Sequence, residues 1–254
     1  MRARLIAIGL GLVPIVALGI WAGSRPSGER EIACYVTALQ GRTPSQVHNL
    51  TLAARRVNGT VLQPNQVFSF VKQVGPWTAD MGYVRAPVSY DGELVRDWGG
   101  GVCQTSTTLY NAALLAGLEI VERHHHHWPA RYAPLGRDAA VAYSDIDLKF
   151  RNLLPAPVRI AAKVEGDKLV CRVLSVHKPA YRVVIESHVR SVTRPGQIFL
   201  AGSGGVRTKI VNRGHPGFSV ATYRRFIDGK QSKRELISED SYPVMNRVVR
   251  VAER

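Results

Sequence analysis

Three consecutive glycines, Gly99-Gly100-Gly101, lead through Val102 into Cys103 and then into Gln104-Thr105-Ser106-Thr107-Thr108. No other stretch limits the fold as much. Leu109, Ala112, Ala113 and Ala116 follow at helical spacing and Gly117 is a natural stop, so the run reads as a loop turning into a helix over residues 104–116. Four successive hydroxyl residues are mediocre helix formers, so packing or chemistry has to account for them. A cysteine at a helix start meets unpaired backbone N–H groups and the positive end of the helix dipole, both of which favour thiolate. Gly100 and Gly101 let backbone approach a substrate closely, as an oxyanion site requires, and Gln104, Ser106 and Thr107 add hydrogen-bonding groups beside it.

A nucleophilic thiol needs a base. His124, His125, His126 and His127 fall in a segment, residues 120–127, that reads as a strand. Alternation puts His124 and His126 on one face with Glu122, and the other two on the opposite face, so only one pair can look at Cys103. Asp138 and Asp147 are the acids that would orient an imidazole, with Glu122 a third. A cysteine, a histidine and an orienting acid form the set used by papain-like peptidases and amidases. Two other readings compete. Cys103 is a small core residue in a capped helix, or it joins His124 or His126 in a zinc site, where adjacent strand positions limit the histidine ligands to two. None of these patterns calls for an organic cofactor. A Cys34–Cys171 disulfide that leaves Cys103 free stays open beside two isolated thiols.

The surroundings read as mixed α/β. Residues 40–57 form a helix, with Thr43-Pro44 as cap and first turn and Asn58-Gly59 as stop. Residues 60–70 make two short strands or a strand and turn, 75–92 an ordered loop with short strand pieces, and 140–150 a further strand. Residues 158–164 and 169–176 form a hairpin around Glu165-Gly166-Asp167. Strand patterns continue over 181–192, 206–211, 218–227 and 244–251. The resulting organisation is residues 1–24 as a membrane or export segment, 25–176 as an α/β domain and 177–254 as a small all-β domain.

Residues 5–23 carry no charge and follow Arg2 and Arg4. Nineteen residues of helix span about 28 Å, close to a bilayer core, and the arginines hold that end inside. The remainder is then extracytoplasmic. An uncleaved anchor is preferred to a cleaved signal, because the apolar stretch is long and the small-residue exit at Ala22-Gly23-Ser24 is weak. Charge is lopsided: residues 151–254 hold twenty basic and eight acidic side chains, net +12 of the total +15. Export makes nucleic acid a poor partner for that surface and anionic wall polymer or lipid headgroups better ones.

Asn58-Gly59-Thr60-Val61-Leu62-Gln63-Pro64, Phe68-Ser69-Phe70, Val74-Gly75-Pro76 and Gly82-Tyr83 resemble the VanW family. The likeness is densest from Gly99 to Asn111 and goes on through Ala116-Gly117-Leu118, Glu122-Arg123-His124, Tyr132, Gly136-Arg137-Asp138-Ala139 and Asp147-Leu148-Lys149-Phe150-Arg151-Asn152. It covers about residues 37–175. The resemblance implies an exported or tethered bacterial envelope protein, in some cases associated with glycopeptide (vancomycin) resistance, and leaves the reaction open. Its pattern favours His124 and His126, and this chain departs from it by carrying histidine at 125 and 127. Asp228-Gly229-Lys230, Ser238-Glu239-Asp240, Tyr242-Pro243-Val244 and Val248-Val249-Arg250-Val251 resemble a G5 domain, without its terminal glycine. Three functions follow as expectations: a cysteine-dependent amidase, peptidase or transpeptidase on peptidoglycan; a non-catalytic wall-binding scaffold; or a zinc protein.

Overall fold

The computed structural model describes residues 28–90, 93–143, 145–202 and 209–252. The expected membrane segment lies outside these residues. Among the described residues no helix is long and apolar enough to cross a membrane.

Strand β1 (Arg30–Ala38) leads into helix α1 (Pro44–Val57), then β2 (Val61–Leu62), β3 (Val67–Ser69) and the short α2 (Phe70–Val74). A hairpin of β4 (Arg85–Tyr90) and β5 (Glu93–Trp98) precedes α3 (Val102–Leu115), β6 (Glu119–Glu122) and β7 (Lys149–Arg151). The hairpin β8 (Val158–Glu165) and β9 (Lys168–Ser175) follows. Then come β10 (Arg182–Thr193), β11 (Gln197–Gly202), β12 (Lys209–Asn212), β13 (Gly217–Asp228), β14 (Gln231–Tyr242) and β15 (Arg247–Ala252). This is a mixed α/β protein with several mainly antiparallel sheets and few helices.

The main sheet has the order β1-β9-β8-β2, all antiparallel. Helix α3 packs on β1 and β9, and α1 packs on β8 and α3. Thr43 closes α1 with a full capping box: its hydroxyl accepts from the Gln46 N–H while the Gln46 side chain accepts from the Thr43 N–H. Leu50, Ala53, Leu109, Ala112, Ala113, Leu114, Ile160 and Val173 are completely buried between these layers. Each buried leucine there contributes about 1.5–3 kcal/mol by leaving water. The alanines of α3 let its backbone come close to the sheet.

Because α3 is central, its hydroxyls are central too. Thr105, Ser106, Thr107 and Thr108 are all fully buried. Thr105 donates to the Leu50 carbonyl (3.0 Å), Ser106 to the Ala139 carbonyl (2.7 Å) and Thr108 to the Gln104 carbonyl (2.6 Å). They bind neighbouring backbone into the core, and packing is what accounts for them.

Local patterns located α1, α3 and the β8–β9 hairpin to within a few residues. Two expectations need correction. The strand expected over 120–127 ends at Glu122, after a register shift between Ile120 and Glu122, and only an isolated bridge from His124 to Ala140 continues it. The strand expected over 140–150 is reduced to β7 and the turn-like bridge Ala142 to Ile146. The disulfide does not form either. Tyr35 is the register partner of Cys171, so Cys34 is one position off and projects from the other side of the sheet; all three cysteines are free.

Beyond β9 the chain forms two three-stranded sheets, β10-β13-β14 and β11-β15-β12. The first lies against the end of α3. Arg224 on β13 donates to the Leu118 carbonyl at 2.6 Å, and the Thr222 hydroxyl to the Gly136 carbonyl at 3.1 Å. Gly136 is required here: its φ is +76°, and a Cβ would stand 2.3 Å from the Thr222 hydroxyl.

Candidate functional site

Gly101 caps α3 without a side chain, at φ +107°, and an added Cβ would fall 2.5 Å from the Gln46 carbonyl oxygen. Only glycine lets α1 and the start of α3 approach so closely. Val102 N–H donates to the Gly99 carbonyl and Gln104 N–H to the Gly101 carbonyl. The Cys103 N–H between them has no acceptor among the described residues. Cys103 is half-buried at the positive end of this helix, with its thiol 3.5 Å from the Val141 carbonyl oxygen.

His126 approaches that thiol from the segment after β6. Its Nδ1 is 2.6 Å from Asp138 Oδ2, and its backbone N–H donates to the same oxygen at 2.7 Å. An Nδ1–H held this way leaves Nε2 as the ring nitrogen free to exchange a proton. The His126 side chain is 25% exposed and that of Asp138 only 2%, so the imidazole reaches solvent while its orienting acid does not. Asp138 Oδ1 accepts from the Tyr242 hydroxyl at 2.5 Å and from Arg123 Nη2 at 3.3 Å. Both carboxylate oxygens are therefore satisfied.

The charges follow from this geometry. Burial pushes the Cys103 thiol up, but the hydrogen bond and charge of His126 and the Val141 contact outweigh it, and the net shift is downward. Burial works against the charged form of His126 as well, yet Asp138 and Cys103 raise its pKa to about 10. Asp138 is lowered to about 2: burial opposes ionisation, and His126 and Arg123 overcome it. His126 therefore favours the charged form of each neighbour, the Cys103 thiol on one side and the Asp138 carboxylate on the other.

The other expected site residues lie elsewhere. His124 turns to Glu122 Oε1 at 3.1 Å with its side chain 45% exposed. Asp147 accepts from the Ser69 hydroxyl (2.6 Å) and the Val71 N–H (2.9 Å), tying down the start of α2. Of the groups expected at a substrate surface, Gly100, Gln104, Ser106 and Thr107 are buried, and Gln104 donates inward to Thr37 and Ala38. Gly101 and Cys103 are the residues of the run that are only half-buried. For zinc, no group of three or more His, Cys, Asp or Glu among the described residues is arranged to hold a metal ion.

A match to the model of VanW-like proteins runs from residue 45 to 174, which is half of the chain and includes Cys103, His126 and Asp138. The chain belongs to the VanW-like family. It is 37% identical over 165 residues to the uncharacterized protein YoaR of Bacillus subtilis, covering 65% of this chain and 52% of that one. It is 29% identical over 161 residues to the vancomycin B-type resistance protein VanW of Enterococcus faecalis, covering 61% and 58%. The chain thus matches little more than half the length of these VanW-like relatives. Two solved G5 domains, HP0197-G5 and the IgA1 protease G5 domain, are similar at 14% identity. They cover 28% and 29% of this chain and 96% and 93% of their own, with TM-scores of 0.18 and 0.22, too slight an overlap to carry an argument.

Sequence reasoning missed Tyr242 and Arg123. Tyr242 is 2% exposed, and its hydroxyl also accepts from the Gly136 N–H at 3.0 Å. Burial and the neighbouring Asp138 carboxylate hold its proton on well above the usual range. A residue of β14 thus braces Asp138. Tyr242→Phe should cost about 1–2 kcal/mol, because it leaves the buried Asp138 oxygen and Gly136 N–H short of a partner. Thermal unfolding will read that loss, and Cys103 alkylation should slow in the same variant while α3 stays folded by circular dichroism.

Proposed function

We propose that this VanW-like protein acts at the bacterial cell envelope, outside the cytoplasmic membrane, through thiol-dependent chemistry on amides of peptidoglycan stem peptides. The observation that carries this reading is the Nδ1 contact between His126 and buried Asp138, on an imidazole that lowers the Cys103 thiol. The Cys103 thiolate attacks the amide carbonyl carbon and a C–S bond forms. The oxyanion meets the unpaired Cys103 N–H at the α3 start. His126 then gives its proton to the leaving nitrogen, the C–N bond breaks and a thioester remains. Water or an amine, deprotonated by His126, attacks the thioester and releases the acyl group with the thiol restored. Water gives hydrolysis and an amine gives transpeptidation. The likeness to papain-like enzymes is one of functional groups only.

A second reading, a non-catalytic wall-binding scaffold, draws on the +12 charge over residues 151–254 and on the G5-like tail sequence. Family membership supplies an envelope context and no reaction, and so suits binding more directly than chemistry. One experiment separates the two. Stem-peptide amides are incubated with the full chain and with Cys103→Ala, and both are tested for sedimentation with purified cell wall. The chemical reading expects product from the native chain alone, with wall binding unchanged in the variant. No Cys103-dependent product across stem-peptide amides, with intact wall binding, supports the scaffold.

A further inference from the structure

Arg42 sits in the turn between β1 and α1, one residue before the Thr43 cap. Its guanidinium carbon lies 4.6 Å from the centroid of the Tyr132 ring. Tyr132 in turn meets His126 edge-on, with ring centroids 6.4 Å apart, and its hydroxyl engages Thr107, one turn of α3 beyond Cys103. Arg42, Tyr132 and His126 therefore form a continuous row leading to the histidine that engages the Cys103 thiol.

Other arginines set into the protein have hydrogen-bond acceptors. Arg123 pairs with Asp138 and Asp240, Arg159 with Glu29 and Arg224 with Glu235, while Arg56 donates to the Val74 and Met81 carbonyls and Arg137 to Asn111 Oδ1. Arg42 is half-buried, and burial lowers its pKa from the ordinary value, yet among the described residues its guanidinium has neither a carboxylate nor any other hydrogen-bond acceptor. Its only described side-chain interaction is the face of Tyr132. A partly desolvated cation held in place without an anion is costly, and a planar guanidinium is shaped for a carboxylate.

We infer that Arg42 is the subsite for a free carboxylate of the substrate, next to the amide that Cys103 attacks. This rests on the thiol reading above and narrows its substrate class. The favoured substrates are peptides whose α-carboxylate flanks the bond attacked, and the same peptides capped as carboxamides are poor ones. Tyr132 holds the guanidinium over the face of its ring.

The test needs no natural substrate. Alkylation of Cys103 by iodoacetate and by iodoacetamide is followed in the full chain by peptide mass spectrometry, each rate normalised to free cysteine. The native chain should prefer the carboxylate reagent by about tenfold, which corresponds to roughly 1.4 kcal/mol. Arg42→Gln should remove most of that preference while leaving the iodoacetamide rate within about twofold, and Arg42→Lys should keep part of it. A preference unmoved by Arg42→Gln overturns the inference. A parallel fall in both rates would mean that Arg42 supports the thiolate itself, which also overturns the carboxylate subsite but leaves the thiol reading standing. If Cys103 reacts with neither reagent until the chain unfolds, both readings fall.

Discussion

Replacing His126 with alanine should move the alkylation midpoint of Cys103 above that of an ordinary thiol and slow its labelling at neutral pH by at least about a hundredfold. The sign follows from what surrounds the sulfur. Burial is the largest influence and raises the thiol; His126 supplies the opposing hydrogen bond and the opposing positive charge. Without the imidazole, burial and the Asp138 carboxylate both disfavour thiolate, and only the Val141 contact and the helix start are left to favour it. His124→Ala should leave the titration where it is, since His124 faces Glu122. The comparison of the two variants by pH-dependent iodoacetamide labelling checks both statements at once. Equal effects of the two would contradict the assignment of His126.

Arg123→Ala should be the most destabilising change near the site, at about 3–5 kcal/mol. The Arg123 side chain is 5% exposed and joins Asp138, at 3.3 Å, to Asp240 on β14, at 2.5 Å. It also donates to the Asp138 backbone carbonyl at 2.6 Å. Removing it leaves two carboxylates, both nearly inaccessible, without their shared cation. The cost comes from those stranded charges more than from the lost bonds, which makes it testable by a double substitution. Asp240→Asn in the Arg123→Ala background should recover part of the loss, whereas independent effects would add. Urea denaturation of the four proteins measures this. Because Asp240 and Tyr242 belong to the β10-β13-β14 sheet, the same loss should loosen that sheet from the site.

The parts of this site that depend on local sequence were legible. Glycines before a helix, Thr43-Pro44 ahead of α1 and Gly166 in the β8–β9 turn are short-range patterns, and the structure has the corresponding elements. The choice between His124 and His126 was not legible, because it assumed a strand that ends at Glu122. Beyond that point alternation does not apply, and a loop can turn neighbouring side chains in unrelated directions. Asp138 and Asp147 were equivalent as letters. What separates them is tertiary: Asp147 holds the start of α2, while Asp138 lies between His126, Arg123 and Tyr242. Arg42 and Tyr242 come from opposite ends of the chain, and no spacing rule connects them. Strand β14 itself escaped notice because Gln231-Ser232-Lys233-Arg234-Glu235 is polar on both faces, as an edge strand running past the core can be, and shows no alternation.

The most direct test of the central claim is the pH dependence of Cys103 labelling by iodoacetamide in the folded native chain. An ordinary exposed thiol titrates near about 8.5. The account predicts that Cys103 labels in the native state with a midpoint below that ordinary value, because the His126 hydrogen bond and charge outweigh burial. Labelling that waits for unfolding, or a midpoint at or above the ordinary value, would contradict it.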